Sequence, residues 1–283
     1  MKNILLPTDF SDNSWNAIQY AIQLFKDEKC NFFIMNTYTP MIYDVEYMNP
    51  GVEGFNLVDV VKNTSEEGLD KLQQKIENQF KNPNHTYRKI ASFNTLTNEI
   101  EELHKKHVMD LIVMGTKGAT GLTEILFGSN TVHIIKNAKC PVLAIPSNYA
   151  FEAPNEVLFP SDYEVSFNEK QIKLIVDIGL SNSSRINIIN TTYGDDLSKN
   201  QIENKQKLDK ILKNVTHLFY SVSNQSVTGA ISEFQLKMRI NLLVMINNKH
   251  SFFENLFFKS TISQIGFHLN VPFLVIPSGE KTI

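Results

Sequence analysis

The chain reads itself twice, and that repetition constrains its fold more than any single motif does. Ile4-Leu5-Leu6-Pro7-Thr8-Asp9-Phe10 returns as Val157-Leu158-Phe159-Pro160-Ser161-Asp162-Tyr163. Ile34-Met35-Asn36-Thr37 returns in Ile189-Asn190-Thr191, and Asp110-Leu111-Ile112-Val113-Met114 as Asn241-Leu242-Leu243-Val244-Met245. Cys140-Pro141-Val142-Leu143-Ala144-Ile145-Pro146-Ser147 closes the first copy, and Val271-Pro272-Phe273-Leu274-Val275-Ile276-Pro277-Ser278 closes the second. Asn36 and Asn190 stand 154 positions apart but Ile100 and Ile231 only 131, so the second copy lacks 23 residues between these points.

Each copy alternates short β-rich runs with longer amphipathic ones, beginning and ending on a strand. Trp15, Ile18, Ile22 and Phe25 fall at helical spacing behind Ser11, a plausible cap. Such alternation predicts an α/β protein: two tandem open parallel five-stranded sheets of the Rossmann-like kind, with helices on both faces. Asn148, Pro154 and Asn155 break the periodicity between about Ser147 and Glu156. Two domains are expected, 1–147 and 156–283, each of ordinary size.

Composition narrows the function classes. No run of about 18 apolar residues is present, so no membrane span is expected. The N-terminus reaches Pro7 and Asp9 too soon for a signal-peptide apolar region. Cys30 and Cys140 lie far apart and outside any CxxC pattern, which fits a reducing cytoplasm. Net charge is −3, with 14 basic against 17 acidic residues up to Ala150 and 13 against 13 after it. Neither half carries the basic excess of a nucleic-acid binder. His104 and His107 share a helix face without an HExxH pattern or a paired carboxylate. Glu99, Glu101 and Glu102 begin that helix and His104, Lys105, Lys106 and His107 end it, which complements its dipole, and no metal site is expected.

The chemistry-bearing run is Gly115 to Ser129, GTKGATGLTEILFGS, between the apolar Leu111-Ile112-Val113-Met114 and a segment whose Val132, Ile135 and Ala138 share one helical face. Its glycines allow backbone N–H groups to approach a phosphate, and a helix start adds unpaired donors and positive potential. In an open α/β sheet the ligand lies beyond the carboxyl ends of the strands. The ends of the first strand at Pro7-Thr8-Asp9 and of the fourth at Met114-Gly115 converge there. Asp9 could accept hydrogen bonds from a ribose or a base amine, and backbone at Asn36-Thr37 could read a base edge. The bland alternatives are that the glycines only make tight turns and that Asp9 only caps the following helix.

The spacing Gly-x2-Gly-x9-Gly-Ser is neither GxGxxG nor GxxxxGK[ST]. With Asp9 after the first strand and the closing Pro141-Val142, it resembles the nucleotide-binding branch of the universal stress protein superfamily, in its tandem two-domain form. The resemblance covers nearly the whole chain, strongly to Ser147 and weakly after it. It implies an adenine nucleotide alpha hydrolase-like fold and ATP, or ADP or AMP, as cofactor, with Mg open beside it. Pro7, Thr8, Asp9, Asn36 and the Thr37 backbone would hold adenine and ribose, and Met114 and Gly115 would flank the ribose. Gly118, Gly128, Ser129 and Asn130 would receive the phosphates, with Lys117 as a mobile positive charge. The resemblance also implies that the copies pair through their last strands, around Val142 to Ile145 and Phe273 to Ile276, about a pseudo-twofold axis. A homodimer is expected beyond that.

The second copy puts Ile246, Lys249 and Lys259 where the first has Gly115, Gly118 and Gly128, while Ser260 matches Ser129. Side chains stand where phosphate must approach backbone, so a degenerate copy without the cradle is expected. Phe252, Phe253, Phe257 and Phe258 are expected to fill the vacated pocket or to pack against the partner domain; the alternative is an apolar-ligand cavity. The extra residues of the first copy are placed mostly within Tyr38 to Val60, as a lid over a bound base or as packing against a neighbouring domain. The functional expectation is a cytoplasmic, nucleotide-binding, regulatory stress-response protein. The alternatives are a slow ATPase, for which only Glu124 and Asp9 are on offer, and a nucleotide-free scaffold or apolar-ligand carrier.

Overall fold

The computed structural model describes residues 1–39, 57–106, 109–116, 128–192, 194, 196–247 and 270–278. They fall into two compact units, Met1–Ile134 and Ile135–Ile283. The first holds β1 (Lys2–Pro7), α1 (Asp12–Leu24), β2 (Cys30–Tyr38), α2 (Leu57–Gln79), β3 (His85–Phe93), α3 (Leu96–Lys106) and β4 (Leu111–Gly115). Its strands lie in the order β3-β2-β1-β4, all parallel. The chain therefore moves one way from β1 to β3 and then crosses back to β4. Right-handed crossovers place helices on both faces when the direction reverses in this way.

The core of this unit comes from the apolar runs that the repeat highlights. Ile4, Leu5 and Leu6 of β1, Ile34 and Met35 of β2 and Ile112 and Val113 of β4 are all sealed from solvent. Parallel strands covered on both faces read as continuous apolar runs, which is why these three are legible. Ser11 caps α1, its side chain accepting from the Ser14 amide at 3.2 Å. Ala17, Ile18, Ala21 and Ile22 form the buried stripe of that helix.

Helix α4 (Ser129–Asn137) straddles the division, and the second unit continues with β5 (Val142–Ile145), β6 (Glu156–Pro160), α5 (Glu169–Asn182) and β7 (Arg185–Thr192). It ends with α6 (Lys199–Leu212), β8 (Thr216–Ser223), α7 (Val227–Met238), β9 (Leu242–Asn247) and β10 (Phe273–Pro277). Its strand order is β5-β10-β9-β6-β7-β8, parallel except where β5 meets β10. That antiparallel pair matches Val142 with Val275, Leu143 with Leu274 and Ala144 with Phe273. Leu143 and Leu274 are equivalent positions of the repeat, so the pairing is centred on a residue and its own counterpart.

The registers confirm the internal alignment. Ile4 faces Leu111 and Leu5 faces Ile112 in the first unit, as Val157 faces Leu242 and Leu158 faces Leu243 in the second. Most of the extra residues of the first copy divide between two places. The connection after β2 runs from 39 to 56, where that after β7 runs from 193 to 198. Helix α2 has 23 residues against 14 in α6. Of the segment expected as a lid or as domain packing, Tyr38 to Val60, residues 40–56 lie outside the described residues.

Candidate functional site

A buried polar network shapes the end of β1. The Thr8 amide donates to the Met35 carbonyl at 2.8 Å. Its hydroxyl accepts from the Phe10 amide at 2.9 Å and pairs with the Ser14 hydroxyl at 2.9 Å. Asn36, at the end of β2, donates its amide to the Thr8 carbonyl at 2.8 Å and accepts from the Ser65 hydroxyl of α2 at 2.7 Å. Both ends of the Asn36 side chain thus hold the turn in place. Pro7 and Thr8 are buried, whereas Asp9 is exposed. Asp9 Oδ1 accepts from the amide and the hydroxyl of Ser11, at 3.1 and 2.5 Å. The carboxylate is oriented by the helix cap and remains open to solvent. Phe10 follows in the left-handed region (φ 62°), with its ring lying directly on Gly68 of α2.

The second wall is the end of β4. Met114, Gly115 and Thr116 are buried. The Gly115 carbonyl accepts from the Thr131 hydroxyl of α4 at 3.0 Å. Beyond it, the Gly128 amide donates to the Thr116 carbonyl at 2.6 Å, and the Val132 amide reaches the Gly128 carbonyl at 3.0 Å as the first turn of α4 closes. The two ends of the glycine run are clasped together, so α4 begins beside the end of β4. Ser129 and Asn130 stand exposed in that first turn, where an α-helix leaves its amides without intrahelical partners. The Gly128 amide itself is occupied by the clasp. Lys117 and Gly118 lie outside the described residues.

Gly115 has a neighbour that the motif does not reveal. A Cβ at this position would stand 2.2 Å from Asn13 Nδ2 and 2.7 Å from its Cγ, so the α1 carboxamide lies directly against the glycine backbone. Asn13, Ser14, Ser65 and Thr131 all escape sequence reasoning; Asn13, Ser65 and Thr131 act through partners distant along the chain, and Ser14 through Thr8 across the turn. The signal that could have found Ser14 is its spacing of three from the cap Ser11.

The second unit repeats the turn and then fills it. The Ser161 amide donates to the Ile189 carbonyl at 2.9 Å, and the Asn190 amide to the Ser161 carbonyl at 2.8 Å. Tyr163 is left-handed (φ 56°) like Phe10. Past that point the copies part. Helix α1 is capped two residues after Asp9, by Ser11, but α5 is capped six after Asp162, by Asn168. The added stretch buries Val165 and Phe167, with the Phe167 ring edge-on to Phe159. Helix α6 then reaches in: Gln201 donates to the Asp162 carbonyl at 2.8 Å, and Asn204 to the Tyr163 carbonyl at 2.8 Å. Tyr163 is 1% exposed, against 42% for Phe10. Ile246, at the position of Gly115, is a buried member of β9 paired with Ile276. Residues 248–269, with the four phenylalanines, Lys249, Lys259 and Ser260, lie outside the described residues.

Cys30 and Cys140 are buried and form no disulfide, and burial pushes the Cys30 thiol up to about 12. Among the described residues no group of three or more His, Cys, Asp or Glu side chains could hold a metal ion, and no helix is long and apolar enough to cross a membrane.

A parallel α/β sheet whose crossover direction reverses between β1 and β4, with a helix start and an open carboxylate at that reversal, defines a class of ligand-binding α/β domains. Comparison with known proteins identifies the family. The universal stress protein family model matches residues 1–146. Universal stress protein MJ0531 of Methanocaldococcus jannaschii is 37% identical over 147 residues, covering 51% of this chain and 81% of that protein. Universal stress protein Slr1230 of Synechocystis is 26% identical over 298 residues, covering 97% of this chain and 99% of its own. The crystal structure of a universal stress protein from Archaeoglobus fulgidus shares the fold across 96% of this chain and 95% of that one, with a TM-score of 0.67 at 17% identity. The chain belongs to the universal stress protein family.

Proposed function

We propose that residues 1–147 form a domain that binds ATP or another adenine nucleotide, and that residues 156–283 form a degenerate copy without that site. The observation that carries this reading is the clasp between Thr116 and Gly128, which sets the start of α4 beside the end of β4, the strand next to β1. Base and ribose lie against Pro7, Thr8, Asp9, the Asn36-Thr37 strand end and Met114-Gly115. The phosphates extend to Gly118, Gly128, Ser129 and Asn130, and the first turn of α4 with its helix dipole favours negative charge there. Lys117 adds a positive charge there. The filled turn at Tyr163 and the buried Ile246 support one nucleotide per chain.

A magnesium ion fits this site as a passenger of the phosphates. Such an ion takes most of its oxygen ligands from phosphate and water rather than from a protein cage, and among the described residues no cluster of carboxylates forms a cage of its own. A regulatory, cytoplasmic role for a homodimer belongs to the same proposal.

Isothermal titration of the full chain with ATP, ADP and AMP tests the reading. Saturation near one nucleotide per chain is expected, lost in Gly118→Val and Gly128→Val variants that keep the unfolding midpoint of the natural chain. No binding, or two nucleotides per chain, would refute it.

A further inference from the structure

The contact between Asn13 and Gly115 assigns two residues a purpose that the glycine spacing conceals. Gly115 closes β4, and Asn13 stands in the first turn of α1, just past the end of β1. The two strands are neighbours, and the reversal of chain direction falls between them. The crevice at such a reversal is where an open α/β sheet receives its ligand. The Asn13 carboxamide lies in that crevice against the glycine backbone, with no room for even a methyl group between them.

The second unit supplies the comparison. Aligning α5 on α1 by their caps, Asn168 on Ser11, puts Lys170 at the position of Asn13. Lys170 is exposed, and Ile246 fills the position of Gly115. The fold is made there without the asparagine and without the glycine. The pair accompanies the open turn and is absent where the turn is filled, so it answers to the ligand site rather than to the sheet.

We propose that Gly115 is glycine in order to admit Asn13, and that Asn13 is the residue that recognises the ribose of the bound nucleotide. This rests on the nucleotide reading given above. Phosphate runs toward Ser129 and Asn130, and base toward Asp9 and Thr37, which leaves the sugar over the β1–β4 crevice. A carboxamide both donates and accepts hydrogen bonds, as the ribose hydroxyls do. The two chemistries match without a charge on either side. A side chain at 115 acts indirectly, by expelling the carboxamide from its seat.

The test titrates the full chain with ATP and with 2′,3′-dideoxy-ATP. The natural chain is expected to favour ATP by about tenfold, the scale of one hydrogen bond made to a ligand hydroxyl. Asn13→Ala and Asn13→Ser, whose side chains are too short to reach, bind ATP about tenfold more weakly and no longer separate the two ligands. Gly115→Ala behaves like Asn13→Ala and adds little when the two are combined. Should Gly115→Ala fail to fold, the two Asn13 variants decide the matter with the two ligands alone. Retention of affinity and discrimination by the Asn13 variants overturns this proposal and leaves the nucleotide reading standing. So does full additivity of the Asn13 and Gly115 substitutions. Failure of the natural chain to bind ATP overturns both.

Discussion

Replacing Asn36 by alanine removes the piece that joins three elements in the first unit. Its amide nitrogen is 2.8 Å from the Thr8 carbonyl, and its carbonyl oxygen 2.7 Å from the Ser65 hydroxyl. Ser65 is 3% exposed and Thr8 7%, so water cannot freely replace either lost bond. Two buried groups left without partners, at roughly 1–3 kcal/mol each and partly relieved by relaxation, make the expected loss about 2–4 kcal/mol. Ser65→Ala removes the hydroxyl and strands only the Asn36 oxygen, for about 1 kcal/mol. In the background of Asn36→Ala, Ser65→Ala should then be nearly silent. The assay is urea unfolding followed by tryptophan fluorescence. Trp15 is the single tryptophan of the chain, and it sits in α1 with Lys75 3.9 Å above its ring and Phe80 beside it, all in the first unit. A loss below about 1 kcal/mol for Asn36→Ala, or full additivity with Ser65→Ala, would refute the clamp as a source of stability.

Two further predictions concern stability. His85 is buried, hydrogen-bonds the Phe25 carbonyl through Nε2 at 3.0 Å and buries Nδ1, and burial holds its pKa below the ordinary 6.5. The unfolded chain therefore gains a proton first on acidification. Its contribution is present above about pH 6.5 and is lost as pH falls through that value toward the lower folded pKa, so His85→Phe should flatten the stability profile below about pH 6.5 in fluorescence-monitored unfolding. In the second unit, a methyl group at Gly179 would stand 2.6 Å from Val215 Cγ1. Gly179→Ala should cost about 1–3 kcal/mol through overpacking, and Val215→Ala should recover part of it in calorimetric scans; a neutral Gly179→Ala would show that the helix moves freely.

The sequence makes the sheet legible because its central strands are buried on both faces and must be apolar throughout. Ile4 to Leu6 and Leu111 to Met114 announce themselves for that reason, and the cap at Ser11 follows from local chemistry alone. The site is less legible, since its working contacts join residues that no local pattern connects. Asn13 meets Gly115, Asn36 meets Ser65, and Thr131 meets Gly115 only once the sheet has formed. The added stretch between Asp162 and Asn168 is visible in the spacing of the caps. It passes unnoticed when the copies are aligned on strands, because the strands on either side keep their own registers.

The shared turn at Asp9 and Asp162 separates two kinds of heredity within one molecule. Thr8 with Asn36 and Ser161 with Asn190 build the same strand-end knot, and the aspartate after each knot ties down the next amides, Ser11 in one copy and Glu164 in the other. Natural selection for a folded chain is enough to keep such an aspartate after any ligand has gone. An aspartate at this place in a relative is therefore accounted for by the scaffold alone, and on the proposal made above a working pocket would be read instead across the crevice, at the positions of Asn13 and Gly115.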